Sequence, residues 1–430
     1  MSRPPRNIVV CCDGTGNDYS HTESNVMRLF RFALKNDPRQ VACYHPGIGT
    51  LPRPEGRTEA GRTVRRWTSL WLGSGAIENV VALYSYLMRE YEPGDRVFLF
   101  GFSRGAFIVR ALAGMLHVTG LLRREDEHLV PYAAGLYQSS ERRIKKAKAE
   151  CGTWPPKTKN GAIDHAASDR RAALFKSKLS RTCDIHFMGL FDTVKAYGWL
   201  QPRSFPALRH NPSVKAVRHA VALDERRSAF QVTGWGDRDA RDVPFDRMRI
   251  REVWFAGDHS DVGGGHPGGN SALTDVTLAW MLGEATNIGA DEGLLLDGDA
   301  RNEVMSIAAR SHEDVSSAKA RDLLRELPWR ICQMVPLRTL DNEEYPPRRG
   351  WHGLPYWSSG RRRPGKHDED RDVLFHDTVE IRARKDTSES PSDYLARARR
   401  AKSEPLDYRI VRSSPITGYV SSSTRLVVEL

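Results

Sequence analysis

The stretch RVFLFGFSRGAFIVRALAGML, residues 96–116, decides the fold. Val97, Phe98, Leu99 and Phe100 form an unbroken apolar run, the pattern of a short strand buried on both faces. Ala106, Phe107, Val109, Arg110, Ala113 and Met115 follow at helical density with no proline. Between strand and helix lies Gly101-Phe102-Ser103-Arg104-Gly105. So tight a turn strains the backbone at its apex. The positions two residues to either side must then carry almost no side chain, which Gly101 and Gly105 satisfy. Ser103 is therefore expected at the carboxyl end of a strand. There it faces the partly positive end of a helix opening near Arg104, which suits a nucleophile and a developing oxyanion. A plain structural turn is the alternative reading; a strand before and a helix after favour the nucleophile.

Working outward, the same alternation recurs. Asn7 to Cys12 reads as a strand ending in Asp13-Gly14-Thr15-Gly16-Asn17. Ser24 or Asn25 can cap a helix bearing Val26, Leu29, Phe30 and Ala33. Val41 to Tyr44 is a second strand, and Ile77, Val80, Val81, Tyr84, Leu87, Met88 and Tyr91 form a helical stripe stopped by Pro93-Gly94-Asp95. Residues 185–191 (IHFMGLF) and 251–256 (REVWFA) read as further strands, 214–223 and 274–285 as helices, and 230–235 as a short strand. Strands and helices in alternation imply an α/β fold. The expected architecture is an α/β-hydrolase-like, mostly parallel sheet with helices on both faces. Residues 1–290 would form the catalytic domain, with 123–182 a basic insertion or lid over the carboxyl edge of the sheet. Beyond about residue 290 the periodicity fades, and 291–430 reads as a less regular extension packing on the domain, with loops at 361–372 and 386–405.

Composition narrows the class. The 430 residues are 40% hydrophobic and 28% charged, and no apolar run approaches the ~20 residues of a membrane span. Residues 1–6 are too short for a signal region ahead of the first strand, so a cytoplasmic protein is expected, with export by a non-classical route left open. Cys11, Cys12, Cys43, Cys151, Cys183 and Cys332 show neither CxxC pairs nor metal-ligand spacing, so reduced thiols are expected, and no metal or cofactor. The net charge of +11 concentrates at 142–148, 157–159, 170–181, 361–366 and 397–402. Such runs suit an anionic membrane surface or simple solvation. No nucleic-acid-binding signature accompanies them, so no nucleic-acid partner is expected, and a polyanion-binding protein is the weaker alternative.

The strand ends carry chemistry: Asp13, Ser103, Asp192 and His259 would gather at one sheet edge. A serine hydroxyl needs a base to take its proton, imidazole does this near neutral pH, and a carboxylate steadies the imidazolium. His259 follows a strand in a loop rich in small residues, with His266 the second choice; His219 reads as a structural residue within a helix. Asp192 is favoured as the acid because a triad acid comes from another strand end, with Asp261, Asp258 and Asp224 competing. The oxyanion donors would be Arg104 N–H and the loop at Gly14 and Thr15, with Asp13 holding that loop. Gly14-Thr15-Gly16 lacks the lysine and spacing of a phosphate-binding loop.

Five segments in order, CCDGTGND, GFSRGAF, GLFDTV, HAVALDERR and VWFAGDHSDVGGGH, with a further echo at FHDTVEIR, resemble the α/β-hydrolase domain of type VI secretion phospholipase effectors. The resemblance covers roughly residues 7–285. It implies a serine esterase acting on phospholipid acyl esters, with a lipid-like ester as substrate, and it maps the nucleophile to Ser103, the acid to Asp192 and the base to His259. A non-catalytic binding or regulatory protein on the same fold is the alternative.

Overall fold

In the computed structural model, Ile8, Val10 and Cys12 of the first strand face one layer of helices, and Val9 and Cys11 face the other. The two-residue period of a strand thus sorts one apolar run into two cores. The structure describes residues 3–14, 23–35, 37–47, 76–139, 170–194, 205–227, 230, 232–236, 247–266, 271–289, 291–298, 302–304, 306–307, 373–379, 381, 408–411, 418–420 and 424–426. The basic runs at 142–148, 157–159, 361–366 and 397–402, together with Thr15, Cys151 and Cys332, lie outside them.

The strands are β1 (Asn7–Cys12), β2 (Gln40–His45), β3 (Arg96–Phe102), β4 (Leu121–Leu122), β5 (Ser180–Arg181), β6 (Ile185–Phe191), β7 (Val217–Ala222), β8 (Ile250–Phe255), β9 (Val373–His376) and β10 (Tyr408–Val411), with a small hairpin of β11 (Gly418–Val420) and β12 (Thr424–Leu426). Eight of them form one sheet in the order β10-β9-β8-β7-β6-β3-β1-β2, every neighbouring pair parallel. Helices α1 (Asn25–Phe32), α2 (Ala76–Glu90), α3 (Arg104–Thr119), α4 (Arg170–Leu179), α5 (His259–Gly263) and α6 (Ala272–Thr286) surround it. α2 and α3 pack into the core containing Val97 and Leu99, and α1 and α6 into the one containing Phe98, Phe100 and Phe102. This is the doubly wound α/β arrangement expected from the alternation.

Strand order reverses between β1 and β3, because β2 lies outside β1 and all later strands lie beyond β3. Such a reversal opens a crevice at the carboxyl ends of the two strands. Cys12 pairs with Gly101, so the residues leaving β1 and β3 emerge side by side: Asp13 and Gly14 from one, Phe102 and Ser103 from the other.

Two expectations change. Residues 217–222 are the interior strand β7 rather than part of a helix, buried along their whole length. Arg218 and His219 give the segment its polar, helix-like look, but each is met by a partner distant in sequence. Arg218 pairs with Glu284 of α6, and His219 Nδ1 lies 2.8 Å from Glu252 Oε1 on β8. A buried polar residue is tolerated in a strand when it is so paired. Residues 230 and 232–236 form no strand; Val232 makes only an isolated bridge to Val194. After residue 370 the chain returns to the sheet as β9 and β10, adding two parallel strands beside β8.

The described end of the basic insertion lies far from the crevice. β5 pairs with β4, and Lys176 Nζ of α4 donates to His117 O in the last turn of α3 at 2.8 Å. α3 has 16 residues, so that end is about 24 Å from Ser103. Cys11, Cys12 and Cys183 are buried free thiols, all pushed upward in pKa by burial. Among the described residues, no helix is long and apolar enough to cross a membrane, and no group of acidic, histidine or cysteine side chains could hold a metal.

Candidate active site

Ser103 joins β3 to α3 with φ 56° and ψ −120°, a conformation L-residues rarely adopt. Its two glycine neighbours are required by contact. A Cβ on Gly101 would come within 2.5 Å of Ala106 Cα, and one on Gly105 within 2.1 Å of Cys12 O. α3 can therefore start immediately beside β1 and β3 only if both positions lack side chains. Ser103 N–H donates to Phe191 O at 3.0 Å, anchoring the elbow to β6.

Ser103 Oγ lies 2.8 Å from His259 Nε2, and His259 Nδ1 lies 2.6 Å from Asp192 Oδ2. An ionised carboxylate only accepts, so Nδ1 carries the hydrogen and Nε2 accepts from the Ser103 hydroxyl. Asp192 leaves β6 with φ 39°, and its other oxygen accepts Ala222 N–H at 2.9 Å. It is fully buried; Ser103 and His259 are 7% and 5% exposed. Burial pushes the His259 pKa below the usual imidazole value, opposed by the hydrogen bond and charge of Asp192. The lowered pKa favours the neutral imidazole at neutral pH.

His259 sits not in an open loop but at the first position of α5. Asp258 is the N-cap: its Oδ1 accepts from Ser260 N–H and Asp261 N–H, each at 2.9 Å. Asp261 completes this capping box by accepting Asp258 N–H at 3.1 Å, and Asp224 accepts Gly257 N–H at 2.8 Å. These carboxylates shape the turn that presents His259, while Asp192 reaches its ring. Burial, with the neighbouring charges of Asp261 and Glu225, pushes Asp258 up to about 7. His266 lies seven residues beyond His259, half-buried past Gly264 and Gly265. His219 is on β7, where Nε2 accepts Thr193 N–H at 3.1 Å.

On the β1 side, a Cβ on Gly14 would stand 3.2 Å from Ser103 Cβ, so this backbone lies against Ser103. Its N–H donates to Asp13 Oδ1 at 2.6 Å. Asp13 Oδ2 accepts from Tyr44 OH at 2.8 Å and from Ser24 Oγ. The buried Asp13 carboxylate therefore knots β1, β2 and the start of α1 together at the edge of the crevice. Tyr44, Ser24, Phe102 and Phe230 carry no signal of this role in sequence, because hydroxyls and aromatics are common and only the fold brings these to Asp13 and His259. The Phe102 and Phe230 rings lie 4.7 and 4.9 Å from the imidazole.

The chain is similar to several known proteins. The chain is 33% identical over 239 residues to the uncharacterized protein YEL023C of Saccharomyces cerevisiae, covering 53% of this chain. It spans 32% of that relative's length. Among solved structures, an uncharacterized protein from Pseudomonas aeruginosa is 20% identical with a TM-score of 0.39, covering 75% of this chain and 52% of that one. The structure of the Tle1 effector bound to the VgrG spike from the type 6 secretion system is also 20% identical, with a TM-score of 0.29, covering 63% and 53%. Residues 6–284, well over half of the chain, match the model of the T6SS phospholipase effector Tle1-like catalytic domain, and the chain belongs to that family.

Proposed function

We propose that the protein is a serine hydrolase of the α/β-hydrolase type that cleaves acyl esters of phospholipids, with Ser103 as nucleophile, His259 as general base and Asp192 as the acid. The observation that carries this reading is the buried chain of contacts, 2.8 Å from Ser103 Oγ to His259 Nε2 and 2.6 Å from His259 Nδ1 to Asp192. The family supplies the phospholipid as substrate class.

In the first half-reaction Ser103 Oγ attacks the ester carbonyl carbon while its proton passes to His259 Nε2. The imidazolium is stabilised by Asp192, which keeps its charge. The tetrahedral oxyanion is met by the N–H of Arg104 at the start of α3, where the helix dipole is favourable. The second donor belongs to the loop leaving β1. Gly14 N–H is engaged by Asp13, so the next residue, Thr15, is the candidate for that role. His259 then protonates the leaving alkoxide and the alcohol departs, leaving an acyl ester on Ser103. Water, deprotonated by His259, attacks that ester, and the fatty acid is released with the serine proton restored. No cofactor or metal enters these steps. Docking on an anionic membrane surface stays within the proposal as a property of the basic runs, but α4 is too far from Ser103 to present lipid to it.

The test is covalent labelling with a fluorophosphonate and release of fatty acid from phospholipid vesicles. Ser103→Ala should lose both, the turnover by several powers of ten. Hydrolysis by Ser103→Ala at the wild-type rate refutes the reading.

A further inference from the structure

His259 is held by more than its triad partners. Phe102 faces its ring at 4.7 Å, Phe230 meets the ring edge-on at 4.9 Å, and its backbone N–H donates to Glu225 Oε2 at 3.3 Å. Glu225 and Phe230 lie on one segment after β7, and Arg227 ties them together. Its Nε and Nη2 donate to Glu225 Oε1 and Oε2 at 2.9 and 2.7 Å, and its guanidinium carbon stands 3.8 Å from the centroid of the Phe230 ring. Glu225 is 2% exposed and Arg227 5%. A bidentate pair this deeply buried is poor value for stability, since desolvation opposes the attraction, and it points to a specific geometric task.

We propose that the buried Glu225–Arg227 ion pair is a positioning device for the general base, holding His259 by its backbone N–H and, through Phe230, by its ring. The inference rests on His259 serving Ser103 as base. The charged groups facing His259 are Asp192 at the end of β6, Glu225 and Arg227 after β7, and Asp258 and Asp261 of its own helix. Glu225 favours the imidazolium and Arg227 disfavours it. Kept as a pair, they grip the histidine while their fields oppose each other there. Broken, either one leaves a net charge beside the base.

The test is the pH profile of kcat/KM on a soluble p-nitrophenyl ester. Glu225→Gln should move the acid limb down in pH and Arg227→Gln should move it up, each by about one unit. The double variant Glu225→Ala/Arg227→Met should return the limb to the wild-type position. Its plateau kcat should fall about tenfold or more with KM unchanged, because the base is loosened while the ester site is intact. A pair that only stabilised the fold would lower the unfolding temperature without opposite shifts. Shifts in the same direction, no shift in either single variant, or a double variant with wild-type plateau kcat overturns the proposal. If a single variant does not fold, the double variant's kcat decides. Ser103→Ala is assayed alongside. If it stays active, the parent reading falls; if it is inactive and the limbs do not move, only the positioning role falls.

Discussion

Replacing Ser103 by glycine and by alanine separates the backbone's role at the elbow from that of the hydroxyl. Both substitutions remove the hydroxyl and its hydrogen bond to His259 Nε2, so that loss cancels in the comparison. What differs is the cost of φ 56°, ψ −120°. A side-chain-bearing residue held in so sparsely populated a region costs about 1–3 kcal/mol, which glycine escapes. Against this, glycine adds freedom to the unfolded chain worth about 0.4–1 kcal/mol. The difference leaves Ser103→Gly more stable than Ser103→Ala by about 1.3 kcal/mol at the middle of the two ranges, within limits of about 0–2.6 kcal/mol. At an ordinary position the order is reversed, alanine being the more stable by about 0.4–1 kcal/mol. Urea unfolding of the two inactive proteins reads this directly, provided their m values agree. An alanine variant more stable than the glycine variant refutes the strained elbow.

Asp192→Asn should reduce kcat by several powers of ten, whereas Asp261→Asn should leave turnover within a few-fold, because asparagine still accepts Asp258 N–H in the capping box; steady-state kinetics on one soluble ester ranks them, and the reverse order moves the acid into α5. Asp258, raised to about 7 from an unfolded value near ~3.9, binds its proton more tightly folded than unfolded, so its stabilising contribution is complete below that lower value and is lost as pH rises through about 7. Asp258→Asn keeps an N-cap acceptor and removes this dependence, so its melting temperature relative to wild type should climb between pH 5 and pH 8; a constant difference refutes the assignment. Since burial lowers the His259 pKa, the acid limb of kcat/KM should fall below ~6.5, and a midpoint above that value would contradict the buried base.

Much of this molecule is written locally. An apolar run before a glycine-flanked serine and a helix after it is a local pattern, and β1, β3, β6 and α6 are legible for the same reason, since period and turn chemistry act within a few residues. From such elements the sequence alone determined a parallel α/β sheet with polar residues collected at its carboxyl edge. Tertiary structure decided the rest. β7 reads as a helix until Glu284 and Glu252, remote in sequence, arrive to pair Arg218 and His219. The competing carboxylates around His259 are alike in one dimension. Packing separates them, sending Asp192 to the ring and Asp258 and Asp261 to the helix cap. The Asp13 knot and the Glu225–Arg227 grip exist only where strands far apart in the chain end side by side. Residue type and spacing report what a side chain can do; only its neighbours in space, which folding alone assembles, select which of those things it does.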